Sequence, residues 1–173
     1  MSYDTLYVMI SGTGTARRVP SLLPRLTTLA ANVLTVLTPN ASRVVSPREL
    51  ALVPGHQIVE SYFDPAILPR PPRGVVLFCP CSFNSLNKLA QGIADSLALS
   101  ITAEAIGRRT PVVVAVSVNA PLWAHPRASE SAATLRRWGC VIVEPVAVAD
   151  TLTLAPDETI VEAVGNALGQ SER

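Results

Sequence analysis

The chain has 173 residues, the length of one ordinary domain around a single core. Its net charge is +1 and only 16% of its residues are charged, so it has no basic field to hold a nucleic-acid backbone or an anionic membrane surface. The opening MSYDTLYVMIS lacks the basic region and long apolar core of a signal peptide, and no apolar run is long enough to span a membrane; the expected location is the cytoplasm. Three cysteines, Cys79, Cys81 and Cys140, are an odd number and fit reduced thiols better than a disulfide framework. With 49% hydrophobic residues, the surface has few charges for a monomer, and buried subunit contacts are expected.

The elements follow in chain order. TLYVMIS (5–11) is a first strand. It leads through SGTGTARR into a helix for which Ser21 is the expected cap, with Pro24 in the first turn. NVLTVLT (32–38) is a second strand, followed by TPNASR, where Thr38, Asn40 and Ser42 stand ahead of a helix. HQIVESYF (56–63) alternates and reads as a shorter or edge strand, and DPAILPRPPRG (64–74) is a proline-rich surface connector. GVVLFCP (74–80) is the next strand. From 84 to 107 one helical stripe carries Leu86, Leu89, Ala90, Ile93, Leu97, Ile101 and Ala105, with Gly92 its weak point. TPVVVAVSV (110–118) is a further strand, and RASESAATLRRWG (127–139) is a helix with a basic last turn and a glycine stop at Gly139. CVIVEP (140–145) is the last strand, and PDETIVEAVGNALG (156–169) starts a final helix with proline and acids. The strands are continuously apolar, as strands covered on both faces are. Strands alternating with helices give an α/β fold: a three-layer, Rossmann-like (flavodoxin-like) parallel sheet with helices on both faces, in a single domain over 1–173.

In such sheets ligands bind beyond the carboxyl ends of the strands, so four loops carry the functional expectations. SGTGTARR offers two glycines, three hydroxyls and two arginines, and is either a phosphate-cradling turn or a plain connection. TPNASR offers hydroxyls that are caps or phosphate contacts. CPCSFNSLN (79–87) crowds Cys81, Ser82, Asn84, Ser85 and Asn87 where a buried strand ends. Buried polar groups need partners, so this knot suits something flat and polar. Cys-x-Cys without further ligands at metal spacing is a poor zinc site, and neither His56 nor His125 is near it in sequence, so no metal is expected. SVNAPLWAHP (117–126) again sets an Asn and a Trp just after a buried strand.

Taken in order, these loops resemble the homo-oligomeric flavin-containing cysteine decarboxylases, which include the phosphopantothenoylcysteine decarboxylases and the epidermin-type peptidyl-cysteine decarboxylases. PCSFNSLNKLAQGIADSL (80–97) resembles that family's PASANT motif and the helix that follows it, and VSVNAPLW (116–123) resembles its PxMNxxMW motif. The resemblance implies an FMN-binding domain. In it Ser11, Gly12 and Thr13 form the first flavin turn, Thr38 and Ser42 contact the phosphate, and Pro80, Ser82, Phe83, Asn84 and Ser117 complete the cofactor site. Asn119 matches the Asn that binds the substrate carboxylate and is needed for decarboxylation, with Leu122 and Trp123 on the substrate side. The family's catalytic His falls where this chain has DPAILPRPPRG. His56 is the histidine set beside Asn119 as a catalytic candidate, and His125 is the other in the chain.

The implied activity is that of an FMN-dependent carbon–carbon lyase. A cysteine thiol is oxidised to a thioaldehyde, and this electron sink lets the neighbouring carboxylate leave as carbon dioxide. The expected substrate is a cysteine-containing peptide or small molecule. Absence of a synthetase domain from this sequence favours a specialised biosynthetic pathway over coenzyme A synthesis. Expected partners are copies of itself, as a trimer or a dodecamer of trimers, or a paralogous flavoprotein subunit. Two other functions stand beside decarboxylation: a flavin-binding subunit not competent by itself, and different flavin chemistry on the same scaffold.

Overall fold

The computed structural model describes residues 4–67 and 74–169. The strands are β1 (Thr5–Ile10), β2 (Asn32–Leu37), β3 (Gln57–Ile58), β4 (Val75–Cys81), β5 (Val112–Val116), β6 (Val141–Val143), β7 (Val146–Val148) and β8 (Thr151–Thr153). The α-helices are α1 (Val19–Leu26), α2 (Pro47–Leu50), α3 (Phe83–Ala90), α4 (Leu97–Gly107), α5 (Ala120–Trp123), α6 (Pro126–Arg137) and α7 (Asp157–Gly169). Six strands form one parallel sheet in the order β3-β2-β1-β4-β5-β6. The chain builds outward from β1 through β2 to β3, then returns to place β4 on the other side of β1. This reversal opens a crevice between the carboxyl ends of β1 and β4.

Side chains in a strand alternate between faces, so a doubly covered strand reads as a nearly continuous apolar run. β1 sends Leu6, Val8 and Ile10 to one core, where they meet Leu22, Leu23 and Leu26 of α1 and Ile160 and Val164 of α7. Tyr7 and Met9 face the other core, with Leu86 and Leu89 of α3, Leu99 and Ile101 of α4 and Leu135 of α6. Each fully buried leucine contributes about 1.5–3 kcal/mol. Among the described residues no helix is long and apolar enough to cross a membrane.

Several expected boundaries are corrected. The stripe over 84–107 is two helices, because Gly92 adopts φ +71 and ends α3. The Gly92 N–H bonds to the Leu89 carbonyl and the Ile93 N–H to the Lys88 carbonyl, the paired bonds of a left-handed helix stop. Ser96 then caps α4 through the Leu99 N–H. Ser21 is not a cap: α1 begins at Val19, so Pro24 lies inside it, and the Ser21 hydroxyl donates to the Arg18 carbonyl. The expected caps in TPNASR give way to Ser46, which caps α2. Gly139 ends α6 at φ +90, as its sequence suggests. The proline-rich connector lies partly outside the described residues, which omit 68–73. An antiparallel β7–β8 hairpin, not expected from the sequence, precedes α7.

Candidate functional site

The carboxyl ends of β1, β2, β4 and β5 surround a cleft of about 590 Å³, within the size range of small-molecule and cofactor sites. All four loops singled out by sequence contribute to its walls. Ser11, Gly12 and Thr13 come from the first, Thr38 and Asn40 from the second, Ser82, Phe83, Asn84 and Ser85 from the third, and Ser117, Asn119 and Leu122 from the fourth.

Ser11 works as a clamp. Its N–H and its hydroxyl both donate to the Pro80 carbonyl, at 3.1 and 2.6 Å, and its Oγ accepts the Ser82 N–H at 2.8 Å. These bonds tie the end of β1 to the end of β4. The single hydroxyl hydrogen of Ser11 is therefore engaged within the protein, although the residue lines the cleft. Pro80 is not a wall residue; it acts through its carbonyl, at a point where the β4–β5 register shifts between Phe78 and Cys81. A proline, which has no N–H for the ladder, is tolerated at such an irregularity. Gly12 is needed for close approach, since a Cβ there would lie 2.7 Å from the Asn40 carbonyl carbon, oxygen and Cβ.

Ser82 caps α3 by accepting the Ser85 N–H at 3.2 Å, and its hydroxyl donates to Ser85 Oγ at 3.1 Å. The Ser85 hydroxyl thereby accepts from Ser82 and keeps its own hydrogen, and the residue lines the cleft. Asn87 points the other way and accepts the Ser131 hydroxyl at 2.7 Å, joining α3 to α6. Asn119 caps α5: the Leu122 N–H donates to Asn119 Oδ1 at 3.0 Å. With the amide oxygen held by the cap, the two Nδ2 hydrogens are left as donors for a ligand, the half of the amide that suits a carboxylate.

Other expected residues are placed elsewhere. Ser42 lines an adjoining pocket of about 200 Å³ that shares Thr38 and Pro39 with the main cleft, and its hydroxyl donates to the Pro39 carbonyl. Trp123 is half-buried against the core that contains α3 and α6. Arg18 turns away from the cleft to donate to the Leu154 and Ala155 carbonyls and to pair with Asp157, stapling α1 to the start of α7.

His56 does not line the cleft. Its Nε2 donates to the Leu50 carbonyl at 2.9 Å, and its Nδ1 lies 2.9 Å from the buried Thr35 hydroxyl. A carbonyl only accepts, so Nε2 carries a hydrogen, and both ring nitrogens are engaged in holding β2, β3 and α2 together. His125 packs edge-on against Phe83, with ring centroids 5.4 Å apart, and its Nδ1 accepts the Arg127 N–H as the cap of α6.

All three cysteines are buried. Burial pushes the Cys79 thiol up to about 12 and that of Cys140 up to about 11. Burial also raises Cys81, reinforced by neighbouring Cys79. None is poised as a thiolate. Sequence reasoning did not find Lys88, Asp95, Ser96 and Leu99, which also line the cleft, Lys88 and Asp95 as an ion pair. Lys88 lies one helical turn beyond Asn84, and that spacing was a signal for it. Asp95 and Ser96 reach the cleft only because the chain stops at Gly92 and restarts.

Comparisons with known proteins bear on the family and the fold. The family model described as Flavoprotein matches residues 2–169. The coenzyme A biosynthesis bifunctional protein CoaBC of Mycobacterium tuberculosis is 29% identical over 143 residues, 80% of this chain and 34% of that protein. The Bacillus subtilis protein of the same name is 25% identical over 143 residues, 79% and 34% of the two lengths. The chain thus spans about a third of the length of these curated relatives. Among solved structures, the FMN-dependent cysteine decarboxylase SpaF superposes with a TM-score of 0.81 at 28% identity, covering 99% of both chains. The peptidyl-cysteine decarboxylase EpiD superposes at 0.80 with 17% identity over 94% of this chain and 98% of its own, a likeness of fold.

Proposed function

The chain belongs to the flavoprotein family, that of the flavin-containing cysteine decarboxylases, and on that premise we propose that its cleft holds FMN and decarboxylates the cysteine of a peptide or small molecule. The observation that carries this reading is the Asn119 amide, whose oxygen is held by the cap of α5 and whose NH₂ is left for a carboxylate. The donor set fits the cofactor: Thr13, Thr38, Asn40, Asn84, Ser85 and Ser117 supply hydroxyls and amides, and Phe83, Leu99 and Leu122 supply apolar wall. When bound, FMN supplies the two-electron acceptor for the substrate's thiol-bearing carbon. The protein's part is to orient. Asn119 holds the carboxylate that departs, the Ser11 clamp keeps the β1 and β4 ends in register, and Phe83, Leu99 and Leu122 give the ring an apolar surface. This reading takes the protein to associate with itself, which Leu52 and Phe63, 83% and 81% exposed, support.

A second reading rests on the two histidines. A free thiol is only a few per cent ionised near pH 7, so the reaction needs a base. The ring nitrogens of His56 and Nδ1 of His125 are engaged. If a histidine of another chain takes the thiol proton, this protein is the flavin-binding member of a mixed oligomer.

The purified protein is expected to be yellow and to release FMN on denaturation. Incubated with peptides or pantetheine-like compounds ending in cysteine, it should produce a mass loss of one carbon dioxide plus two hydrogens. A colourless protein that ignores added FMN would sink both readings. Bound flavin with no mass change on any cysteine compound would favour the second.

A further inference from the structure

Three hydroxyls form a connected row beside the cleft. Thr13 Oγ1 lies 2.8 Å from Thr15 Oγ1, and Thr15 Oγ1 lies 2.6 Å from Ser117 Oγ. Thr13 and Ser117 line the cleft from the loops after β1 and β5, and Thr15 joins them from the short 3-10 turn that leads into α1. We propose that Thr15 is a positioning residue that couples these two hydroxyls, so that they meet the ligand as one donor and one acceptor or as two acceptors, and never as two donors.

The number of hydrogens imposes this limit. Each hydroxyl carries one hydrogen and two lone pairs. Two contacts among three hydroxyls use two hydrogens and leave one. If Thr15 donates to Ser117, then Thr13 donates to Thr15, and the remaining hydrogen is on Ser117. If Thr15 donates to Thr13, then Ser117 donates to Thr15, and the remaining hydrogen is on Thr13. If both outer hydroxyls donate to Thr15, each turns only lone pairs to the cleft. Ser117 is 7% exposed, so water does not compete freely for its contact with Thr15. A ligand group that accepts from one outer hydroxyl thereby turns the other into an acceptor, through a residue that does not itself line the cleft. This pattern suits a ring bearing both carbonyl oxygens and an imide N–H, as the isoalloxazine of FMN does. The neighbouring Ser11 hydroxyl is excluded from the count, since its hydrogen is on Pro80.

The proposal rests on the reading that FMN occupies the cleft, and FMN titration of the full chain tests the two separately. Thr15→Val keeps the shape and removes the hydroxyl, whereas Thr15→Ser keeps the hydroxyl. Thr15→Val is expected to weaken FMN about tenfold, the worth of one oriented hydrogen bond, and to shift the absorption maxima of the bound flavin. Thr15→Ser should restore both. In a Ser117→Ala background, Thr15→Val should have little further effect, since the coupling partner is gone. Wild-type protein that fails to take up FMN overturns the reading of the cleft and the coupling with it. Wild-type protein that binds FMN, with Thr15→Val matching it in affinity and spectrum, overturns the coupling alone. So do additive losses for Thr15→Val and Ser117→Ala, or a Thr15→Ser that fares no better than the valine variant.

Discussion

Asn119→Asp separates the two jobs of one side chain. Aspartate serves as well as asparagine at a helix N-cap, so its carboxylate accepts the Leu122 N–H that Asn119 Oδ1 accepts now, and the start of α5 is retained. What changes is the face turned to the substrate. The amide NH₂ becomes a second carboxylate oxygen, and a bond to a charged group worth about 1.5–3 kcal/mol is lost. In its place two negative charges stand roughly 4 Å apart, which costs about 1 kcal/mol in bulk water and about 4 kcal/mol at the effective dielectric of a protein surface. Asn119 is exposed at the cleft, so the lower figure is the floor, and the floor of the sum is about 2.5 kcal/mol. At 1.36 kcal/mol per decade, that is roughly a hundredfold loss in kcat/KM. The assay is single-turnover mass spectrometry on a cysteine-terminated peptide, with bound FMN measured from absorbance after denaturation. Asn119→Ala is the companion variant, expected to lose the cap and about 1 kcal/mol of stability as well. Turnover of Asn119→Asp within threefold of wild type, with flavin bound, would refute the assignment of Asn119 to the carboxylate.

Gly12→Ala should weaken FMN by about tenfold or more and lower stability by about 1–3 kcal/mol, because the new Cβ would sit 2.7 Å from Asn40 and part the first two loops; an unchanged fluorescence titration would refute this. His56→Ala should lower the melting temperature by the equivalent of about 1–3 kcal/mol, since it unpairs the Leu50 carbonyl, while turnover per bound flavin stays as in wild type. Loss of turnover in a fully folded His56→Ala protein would restore this residue as the base. The buried thiols predict an alkaline limit. Cys79, held up to about 12 when folded, is protonated in the native state when the unfolded thiol, with a pKa near 8.5, has begun to ionise. Its contribution is fully present below about pH 8.5 and is lost as pH rises toward 12, at up to about 1.4 kcal/mol per pH unit. Denaturant melts between pH 8 and 10.5 should show Cys79→Ala losing stability more slowly than wild type; parallel slopes would refute the linkage.

The two cores were legible because a doubly covered strand is apolar on both faces, as β1 is from Leu6 to Ile10, and the helix stop at Gly139 was legible because it is written locally. The β7–β8 hairpin was hidden: its strands are three residues each, and its turn uses Ala149, at φ +51, where Asn-Gly would have announced it. The break at Gly92 was visible as a weak point, but not that the restart at Ser96 would bring Asp95 and Ser96 to the cleft. Four loops with surplus polar groups could be named from sequence, since each follows a buried strand and strand ends in a parallel sheet gather on one side.

Which groups remain free for a ligand was decided by tertiary structure alone. Ser11 and Thr13 stand two residues apart in one loop, yet the Ser11 hydroxyl is held by Pro80, 69 residues away, and the Thr13 hydroxyl joins a line through Thr15 to Ser117, 102 residues beyond Thr15. His56 looked like a candidate base in sequence and is a strut between Thr35 and Leu50 in space. A residue's type states what bonds it can make, and periodicity states which face it occupies. Only the packed chain determines which of those bonds are already made.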